Sequence, residues 1–313
     1  MCNVDPVLLS AAAPADGPFR DRCILTVDVE DWFHILDLPV SPSPESWSEL
    51  PSRVEINFLR LLDLFDRHQA SVTCFFLGWV ARKFPRLVTE ARRRGHEVAS
   101  HGYAHRLAYQ MSPQEFREDA LRARRLLEDI AGCRVIGFRC PGFSVTSRLP
   151  WVFQMLVEAG YGYDSSVFPA RRLHGGYPEA PLVPHRLHTP SGDLAEFPVT
   201  VAEFLGRRLC VFGGGYFRAA PLGIILRMAA RVLAEGRPVL FYLHPRDIDP
   251  DQPRLPMPLG RKLRCYVNLT TTEQKLKEVL GRFQFTTCAA YLEAARLLGS
   301  LPSWVSTSSV LSR

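Results

Sequence analysis

Short apolar runs and amphipathic stretches alternate along this chain. Apolar runs of strand length lie at residues 23–30, 72–77, 96–99, 134–138, 161–168, 238–243 and 283–285. In the first run, Ile24, Leu25 and Val27 do not alternate with polar residues in a strict pattern, which is typical of a strand covered on both faces. Hydrophobic residues at helical spacing predict helices between these runs, at 54–68, 80–94, 112–130, 222–233 and 291–298. The alternation predicts a parallel α/β fold.

Local signals mark several helix boundaries. The stretch Ser112-Pro113-Gln114-Glu115 has the form of a capping box with proline at the first helical position. Gly95 stands where the helix at 80–94 should stop, and another helix should end at Gly160. Thr270, three residues before Glu273, predicts one more helix start.

Other stretches lack helical periodicity. Residues 169–198 are rich in Pro, Gly and His, with short strands predicted around 186–188 and 194–197. Residues 213–218 form a Gly-rich turn, and the missing Gly-Lys-Ser/Thr ending argues against a phosphate cradle. Residues 246–269 are polar and Pro-rich and predict a long loop, of a length that is usually functional or disordered.

The chain has 313 residues, a length at which α/β barrels still fold as one domain. It shows no internal repeat and no linker that would divide it. We therefore predict one domain at 21–300, preceded by a disordered segment at 1–20 and followed by a C-terminal tail at 301–313.

Composition and charge narrow the function classes. Apolar residues make up 47% of the chain and charged residues 22%, as in an ordinary globular protein. The net charge is +6, but the basic clusters at 92–94 and 122–125 lie in helical patterns and are interpreted as solvated faces, so no nucleic-acid partner is expected. The eight cysteines include no Cys-x-x-Cys pair, which argues against a zinc ribbon and a dithiol redox site and fits a reducing compartment.

The N-terminal residues predict no export signal. Residues 1–20 have no basic n-region, and their apolar stretch at 7–13 is short and broken. No apolar run approaches the roughly 18 residues of a spanning helix. The expected protein is soluble and cytoplasmic, without a membrane span.

Candidate metal ligands lie at the ends of two predicted strands. His101 and His105 stand four residues apart after the run at 96–99, and on a helical turn both rings would face one ion. Asp28, Glu30 and Asp31 follow the first apolar run, at the strand end where α/β folds place their chemistry. Two imidazoles and one carboxylate suit a catalytic Zn²⁺ that keeps a position open for water.

The strand ends, taken in chain order, resemble the motifs of one enzyme family. They carry Asp28-Val-Glu-Asp, Ser100-His-Gly-Tyr-Ala-His, Arg139-Cys-Pro-Gly, Asp164 and Leu243-His. This series is similar to that of the NodB-homology polysaccharide deacetylases (carbohydrate esterase family 4), over roughly residues 20 to 300. The stretches at 27–34, 213–218 and 243–254 further resemble the branch linked to exosortase and exopolysaccharide loci.

The resemblance implies a distorted (β/α) barrel with fewer than eight repeats and the removal of N-acetyl groups from amino sugars of a polysaccharide or its biosynthetic intermediate. It implies Asp28 as the catalytic base and a divalent metal, with Zn²⁺ as first candidate, on Glu30, His101 and His105. The commonest family motif has a metal-binding Asp directly after the base, where this chain has Val29. Asp31 therefore stays open as a substitute ligand.

Further catalytic roles follow from the same resemblance. Arg139 is expected to pair with Asp28 and hold it ionised, and His244 to protonate the leaving amine. Asp164 is expected to accept a hydrogen bond from the other ring nitrogen of His244 and to favour the imidazolium.

The resemblance also suggests how substrate is bound. Trp32, Phe33, Phe143 and Tyr216 are candidate rings for sugar stacking, and the backbone N–H near Tyr103 is a candidate oxyanion donor. The expected partner is an N-acetylated polysaccharide or oligosaccharide. Two alternatives stay open: a metal-independent amidase of the same superfamily, and a catalytically silent glycan-binding protein on this fold.

Overall fold

The computed structural model describes residues 22–304 except 37–39, 173–174, 205, 298 and 300. The segment 1–20, predicted to be disordered, and residues 305–313 of the predicted tail lie outside the described residues. Within the described part, no helix is both long and apolar enough to cross a membrane.

Most of the described strands belong to one sheet. The strands are β1 (Arg22–Val29), β2 (Thr73–Phe76), β3 (Glu97–Ser100), β4 (Gly137–Phe138), β5 (Tyr163–Asp164), β6 (His185–Thr189), β7 (Gly192–Glu196), β8 (Ala202–Phe204), β9 (Arg207–Leu209), β10 (Leu240–Leu243), β11 (Gln284–Thr286) and β12 (Ser303–Trp304). The sheet order is β10-β1-β2-β3-β4-β5-β7-β6-β12; β11 also pairs with β1, and β8 and β9 form a separate hairpin.

The helices lie between the strands, as the hydrophobic pattern predicts. They are α1 (Val54–Arg67), α2 (Gly78–Lys83), α3 (Pro85–Arg93), α4 (Pro113–Ala131), α5 (Trp151–Glu158), α6 (Gly214–Ala219), α7 (Leu222–Ala234), α8 (Leu259–Tyr266), α9 (Leu269–Arg282) and α10 (Cys288–Leu297). The predicted capping box is present at the start of α4, where the Ser112 hydroxyl accepts from the Glu115 backbone N–H.

The parallel pairing brings the predicted motifs together. All pairs along the path β10-β1-β2-β3-β4-β5-β7 are parallel, so the carboxyl ends of these strands meet at one edge. β1 is buried along nearly its whole length, because it pairs with β2 on one side and with β10 and β11 on the other. The polar residues at these strand ends therefore lie together at one end of the barrel, above an apolar core.

Among the described residues, no strand pairing joins β7 to β10. A side chain after β7 forms hydrogen bonds to the start of β10 instead. The Thr200 hydroxyl accepts a hydrogen bond from the Leu240 N–H (2.8 Å) and donates one to the Pro238 carbonyl (3.2 Å). The arrangement confirms the predicted distorted barrel with fewer than eight repeats.

The structure departs from the predicted elements in particular places. The helix predicted at 80–94 is divided into α2 and α3, because Pro85 lacks a backbone N–H and begins a new helix. The Gly-rich turn at 213–218 is largely the helix α6, and the loop predicted at 246–269 contains α8. The start of α9 has Asn268 at its N-cap, not Thr270.

Candidate active site

Three predicted metal ligands meet at the carboxyl edge of the sheet. The ligand atoms of Glu30, His101 and His105 all lie within 4.8 Å of one another, and all three residues are buried. His105 Nε2 is 2.5 Å from Glu30 Oε2. Residues far apart in the sequence meet here because β1 and β3 are separated in the sheet only by β2.

The histidine pair is held by a loop and not by the helical turn that its spacing suggested. His105 adopts a left-handed backbone conformation with φ of 53°. His101 Nδ1 lies 2.8 Å from the Arg139 carbonyl oxygen, which fixes the proton on Nδ1 and leaves the Nε2 lone pair free. Burial lowers the pKa of His101, so the ring is held in the neutral, metal-binding form.

Glu30, and not Asp31, is the carboxylate of the cluster. Asp31 Oδ1 accepts from the backbone N–H groups of Trp32 and Arg53, and its Oδ2 accepts from the Val54 N–H and the Ser52 hydroxyl. Asp31 therefore satisfies the free N–H groups at the start of α1. Its oxygens are used in this structural role, so the alternative of Asp31 as a substitute ligand is not supported.

The predicted base is paired with the predicted arginine. Arg139 Nη1 donates to Asp28 Oδ1 at 2.7 Å and to the Thr26 hydroxyl at 2.7 Å. Its Nη2 donates to the Ser165 hydroxyl at 3.0 Å, and the side chain is fully buried. Paired and hydrogen-bonded in this way, Arg139 holds Asp28 in one orientation and leaves Oδ2 facing His244, with 3.9 Å between Oδ2 and His244 Nε2.

The partner of His244 differs from the prediction. Asp164 was expected to accept from its ring, but Nδ1 of His244 lies 3.0 Å from Asp247 Oδ2, which also accepts from the His244 backbone N–H at 2.9 Å. The other oxygen of Asp247 forms a buried ion pair with Arg218. A short 3₁₀ helix at Pro245–Ile248 places Asp247 three residues after His244 and beside its ring. The imidazolium is also not favoured overall, because burial lowers the pKa of His244 to about 4 although Glu30 and Asp28 act to raise it.

Asp164 belongs instead to a buried carboxyl pair behind the site. It is the register partner of Glu196 in the neighbouring strand, and it accepts from the Ser166 hydroxyl at 2.5 Å. Burial raises the pKa of Asp164 to about 6, and burial together with repulsion from Asp164 raises that of Glu196 well above its usual value. The Ser166 hydroxyl, which donates to Asp164, accepts from the Cys140 N–H at 2.7 Å. Asp164 thus supports the loop after β4 and does not touch His244.

The candidate stacking rings have different environments. Trp32 and Phe33 are 5% and 1% exposed and pack edge to face against each other, so they belong to the core and not to the cavity. Phe143 and Tyr216 both line the cavity described below, and Tyr216 is 47% exposed. Of the four rings, Tyr216 alone combines exposure with a place at the cavity.

The backbone N–H of Tyr103 is not free to bind an oxyanion. It donates to Asp119 Oδ2 at 2.7 Å, and the next N–H, of Ala104, donates to the other oxygen of the same carboxylate at 3.2 Å. The Tyr103 ring lies against the Arg122 guanidinium, 3.5 Å from the ring centre. Tyr103 therefore supports the loop that carries the histidines.

A cavity of about 500 Å³ opens above the metal-ligand cluster. Its lining includes residues that the sequence reasoning gave no role, among them His34, Arg246 and Arg261. Asp247 was also missed; the spacing His-Pro-x-Asp, with proline starting a turn and an acid at its third position, is the local signal that points to it.

The cluster fits a divalent ion. His105 Nε2 is buried and makes no hydrogen bond to any described residue, despite its short approach to Glu30. Two imidazole nitrogens and one carboxylate oxygen are the donor set of catalytic zinc sites. All three residues line the cavity, so water and a substrate would have access to an ion held by them.

The distorted parallel barrel, the Glu-His-His cluster, the Asp28–Arg139 pair and His244 occur together, as the motifs predicted for the NodB-homology polysaccharide deacetylases. Residues 54–163 match the family model of polysaccharide deacetylases, and residues 165–293 match a domain of unknown function, DUF3473. The chain carries a polysaccharide deacetylase domain of the NodB-homology family, as its motifs predicted. The DUF3473 match is consistent with the predicted exopolysaccharide-locus branch.

The two matched regions contribute to one cavity. The first supplies His101 and His105, and the second supplies His244, Arg246 and Tyr216. The DUF3473 region is therefore a part of the same barrel and site and not a separate unit.

Curated relatives agree with this family. The chain is 26% identical over 145 residues to a peptidoglycan-N-acetylglucosamine deacetylase of Bacillus cereus, covering 43% of this chain and 52% of the relative. It is 31% identical over 110 residues to the peptidoglycan deacetylase-like protein FGM2 of Gibberella zeae, covering 34% and 32% of the two chains. The chain thus spans at most about half the length of these relatives.

Solved structures support the fold. A Mycobacterium smegmatis crystal structure assigned to the polysaccharide deacetylases aligns with a TM-score of 0.63 at 20% identity, over 94% of this chain and 96% of that chain. PuuE allantoinase aligns with a TM-score of 0.59 at 17% identity, over 92% and 93%.

Proposed function

We propose that this protein is a metal-dependent hydrolase that removes N-acetyl groups from amino sugars of a polysaccharide or of its biosynthetic intermediate. The observation that carries the proposal is the convergence of Glu30, His101 and His105 beside the paired Asp28 and the His244 ring. The deacetylase names of the curated relatives and the family match support the reaction class.

Asp28 and His244 divide the proton transfers. Asp28, held by Arg139, accepts the proton of the water that attacks the amide carbon, a general-base step that contributes about 10²–10⁴-fold. His244 is neutral with its proton on Nδ1, so its Nε2, 3.9 Å from Asp28 Oδ2, first takes up the proton that Asp28 has accepted and then delivers it to the leaving nitrogen. Asp247 holds the Nδ1 proton and so directs Nε2 toward the cavity.

The Glu30, His101 and His105 cluster would hold the metal, and we propose Zn²⁺. When bound, such an ion supplies Lewis-acid activation of the amide carbonyl and of water. The protein contributes a buried site of fixed tautomer, since the Arg139 carbonyl accepts from His101 Nδ1. The finer assignment of action on an exopolysaccharide rests on the branch resemblance, and that of a cytoplasmic location on the cysteine pattern, which fits a reducing compartment.

Acetate release from N-acetylated oligosaccharides tests the proposal. The purified protein should release acetate, lose this activity in a chelator and regain it with Zn²⁺, and His105→Ala should lose it without recovery. Full activity in a metal-free sample would favour the metal-independent amidase. Glycan binding without acetate release by the metal-loaded protein would favour the catalytically silent binding protein.

A further inference from the structure

The cavity above the metal-ligand cluster has an excess of positive charge. Among the residues that the structure describes, two carboxylates line it, Asp28 and Glu30, and Asp28 is already paired with the buried Arg139. Five arginines line the same cavity: Arg172, Arg218, Arg246, Arg261 and Arg264. Of these, Arg218 is neutralised by Asp247. A neutral glycan would not require the remaining charge, so the cavity has the character of an anion site.

Arg246 lines this cavity and has hydrogen-bond donors that no described residue accepts. Its Nε and Nη1 atoms are buried and have no hydrogen-bond partner among the residues that the structure describes. Its Nε lies 3.8 Å from Glu30 Oε1, beyond hydrogen-bond distance. Buried N–H groups without acceptors destabilise a fold, so such donors are expected to meet an acceptor supplied by water or by a ligand that displaces it.

Arg261 repeats the pattern from another element. It lies on α8, and its Nη2 donates to the Leu36 carbonyl at 2.8 Å, which fixes the side chain over the cavity. Its Nε is buried without a hydrogen-bond partner in the described part of the chain. Two arginines from separate elements thus line one cavity, and each has a buried donor without an acceptor among the described residues.

We propose that Arg246 and Arg261 form a subsite for an oxyanion, a carboxylate or a phosphate, carried by the glycan next to the acetylated amino sugar. The inference rests on the proposed function for the sugar itself. A guanidinium binds such groups through two parallel N–H donors, which a lysine cannot do. The distance from Arg246 to Glu30 places this charge beside the metal-ligand cluster, so the anion would lie adjacent to the reacting amide.

Binding measurements on a variant without turnover test the subsite directly. Metal-loaded Asp28→Asn would be titrated calorimetrically with three N-acetylglucosamine disaccharides whose second sugar is glucose, glucuronic acid or a glucose phosphate. We expect at least one anionic ligand to bind about tenfold or more tightly than the neutral one, and this advantage to shrink at high salt. Comparison of the two anionic ligands distinguishes carboxylate from phosphate.

Substitutions assign the effect to the two arginines. Arg261→Gln and Arg246→Gln should each remove most of the advantage of the anionic ligand while leaving the affinity for the neutral ligand unchanged. Lys262→Gln is the matched control, because it removes one exposed positive charge from the same helix and should keep the advantage. Arg246→Lys should retain part of it.

Several results would overturn the subsite. Equal affinities for the three ligands, including failure of all three to bind, would remove it. An unchanged advantage in Arg261→Gln would do the same, and so would equal losses for neutral and anionic ligands, which indicate that the arginines only support the fold. If the anionic ligand binds as expected but the active protein releases no acetate, the proposed reaction fails and the anion subsite stands.

Discussion

Asp247→Asn is the substitution that best tests the structure against the prediction from sequence. Asp247 Oδ2 lies 3.0 Å from His244 Nδ1 and 2.9 Å from its backbone nitrogen, and Oδ1 pairs with the buried Arg218. Asparagine keeps the shape and one carbonyl oxygen but removes the negative charge. It therefore weakens the contact that orients the His244 ring without opening a cavity.

The size of the effect follows from this contact. A hydrogen bond to a charged group contributes about 1.5–3 kcal/mol, and 1.36 kcal/mol corresponds to a tenfold change in rate. We therefore expect kcat for acetate release to fall about 10- to 150-fold. KM should change little, because Asp247 is buried and does not line the cavity.

Asp164→Asn is the matched control. Asp164 lies behind the site, and its replacement keeps an oxygen to accept from the Ser166 hydroxyl. This variant should retain a kcat close to that of the wild type. Both variants would be compared by steady-state acetate release, by bound metal and by thermal unfolding, and the ¹⁵N shifts of the His244 ring would report its tautomer. A normal kcat in Asp247→Asn together with a strong loss in Asp164→Asn would refute the assignment.

Other substitutions test the remaining roles. His101→Ala should reduce bound Zn²⁺ far below one ion per chain by mass spectrometry; retention of a full ion would show that the cluster is not the metal site. Asp28→Asn should keep the metal and lower kcat by about 10²–10⁴-fold, the contribution of a general base, whereas Glu30→Gln should weaken metal binding and regain activity with added metal; the reverse pattern would exchange these two roles. Tyr216→Ala should raise KM for oligosaccharides about two- to tenfold through loss of ring stacking, whereas Trp32→Ala should leave KM unchanged and lower the free energy of unfolding by about 3–5 kcal/mol in denaturant titrations. Equal KM changes in both variants would contradict the division between core ring and cavity ring.

Local patterns in the sequence determined the order of strands and helices and the residues at the strand ends. The apolar run at 23–30 became β1 and the capping box at Ser112 starts α4, because burial of an apolar run and satisfaction of helix N–H groups depend on neighbours in the chain. The carboxyl ends of parallel strands lie at one edge of a sheet, so the sequence alone predicts that Asp28 and His101 belong to one site.

Tertiary structure decided which polar group meets which. Asp31 and Glu30 are adjacent in the sequence, yet only Glu30 reaches the histidines, because the backbone N–H groups at the start of α1 donate to the oxygens of Asp31. Asp247, and not Asp164, meets His244, because a short turn after β10 brings it beside the ring.

Tertiary structure also decided that the buried donors of Arg246 and Arg261 have no acceptor among the described residues, because the groups around them come from distant parts of the sequence. Hydrophobic periodicity specifies which face of an element is buried, and it leaves the hydrogen-bond partner of a polar side chain open. That partner depends on distances of a few ångströms between elements that are remote in sequence, and these distances exist only once the barrel has packed.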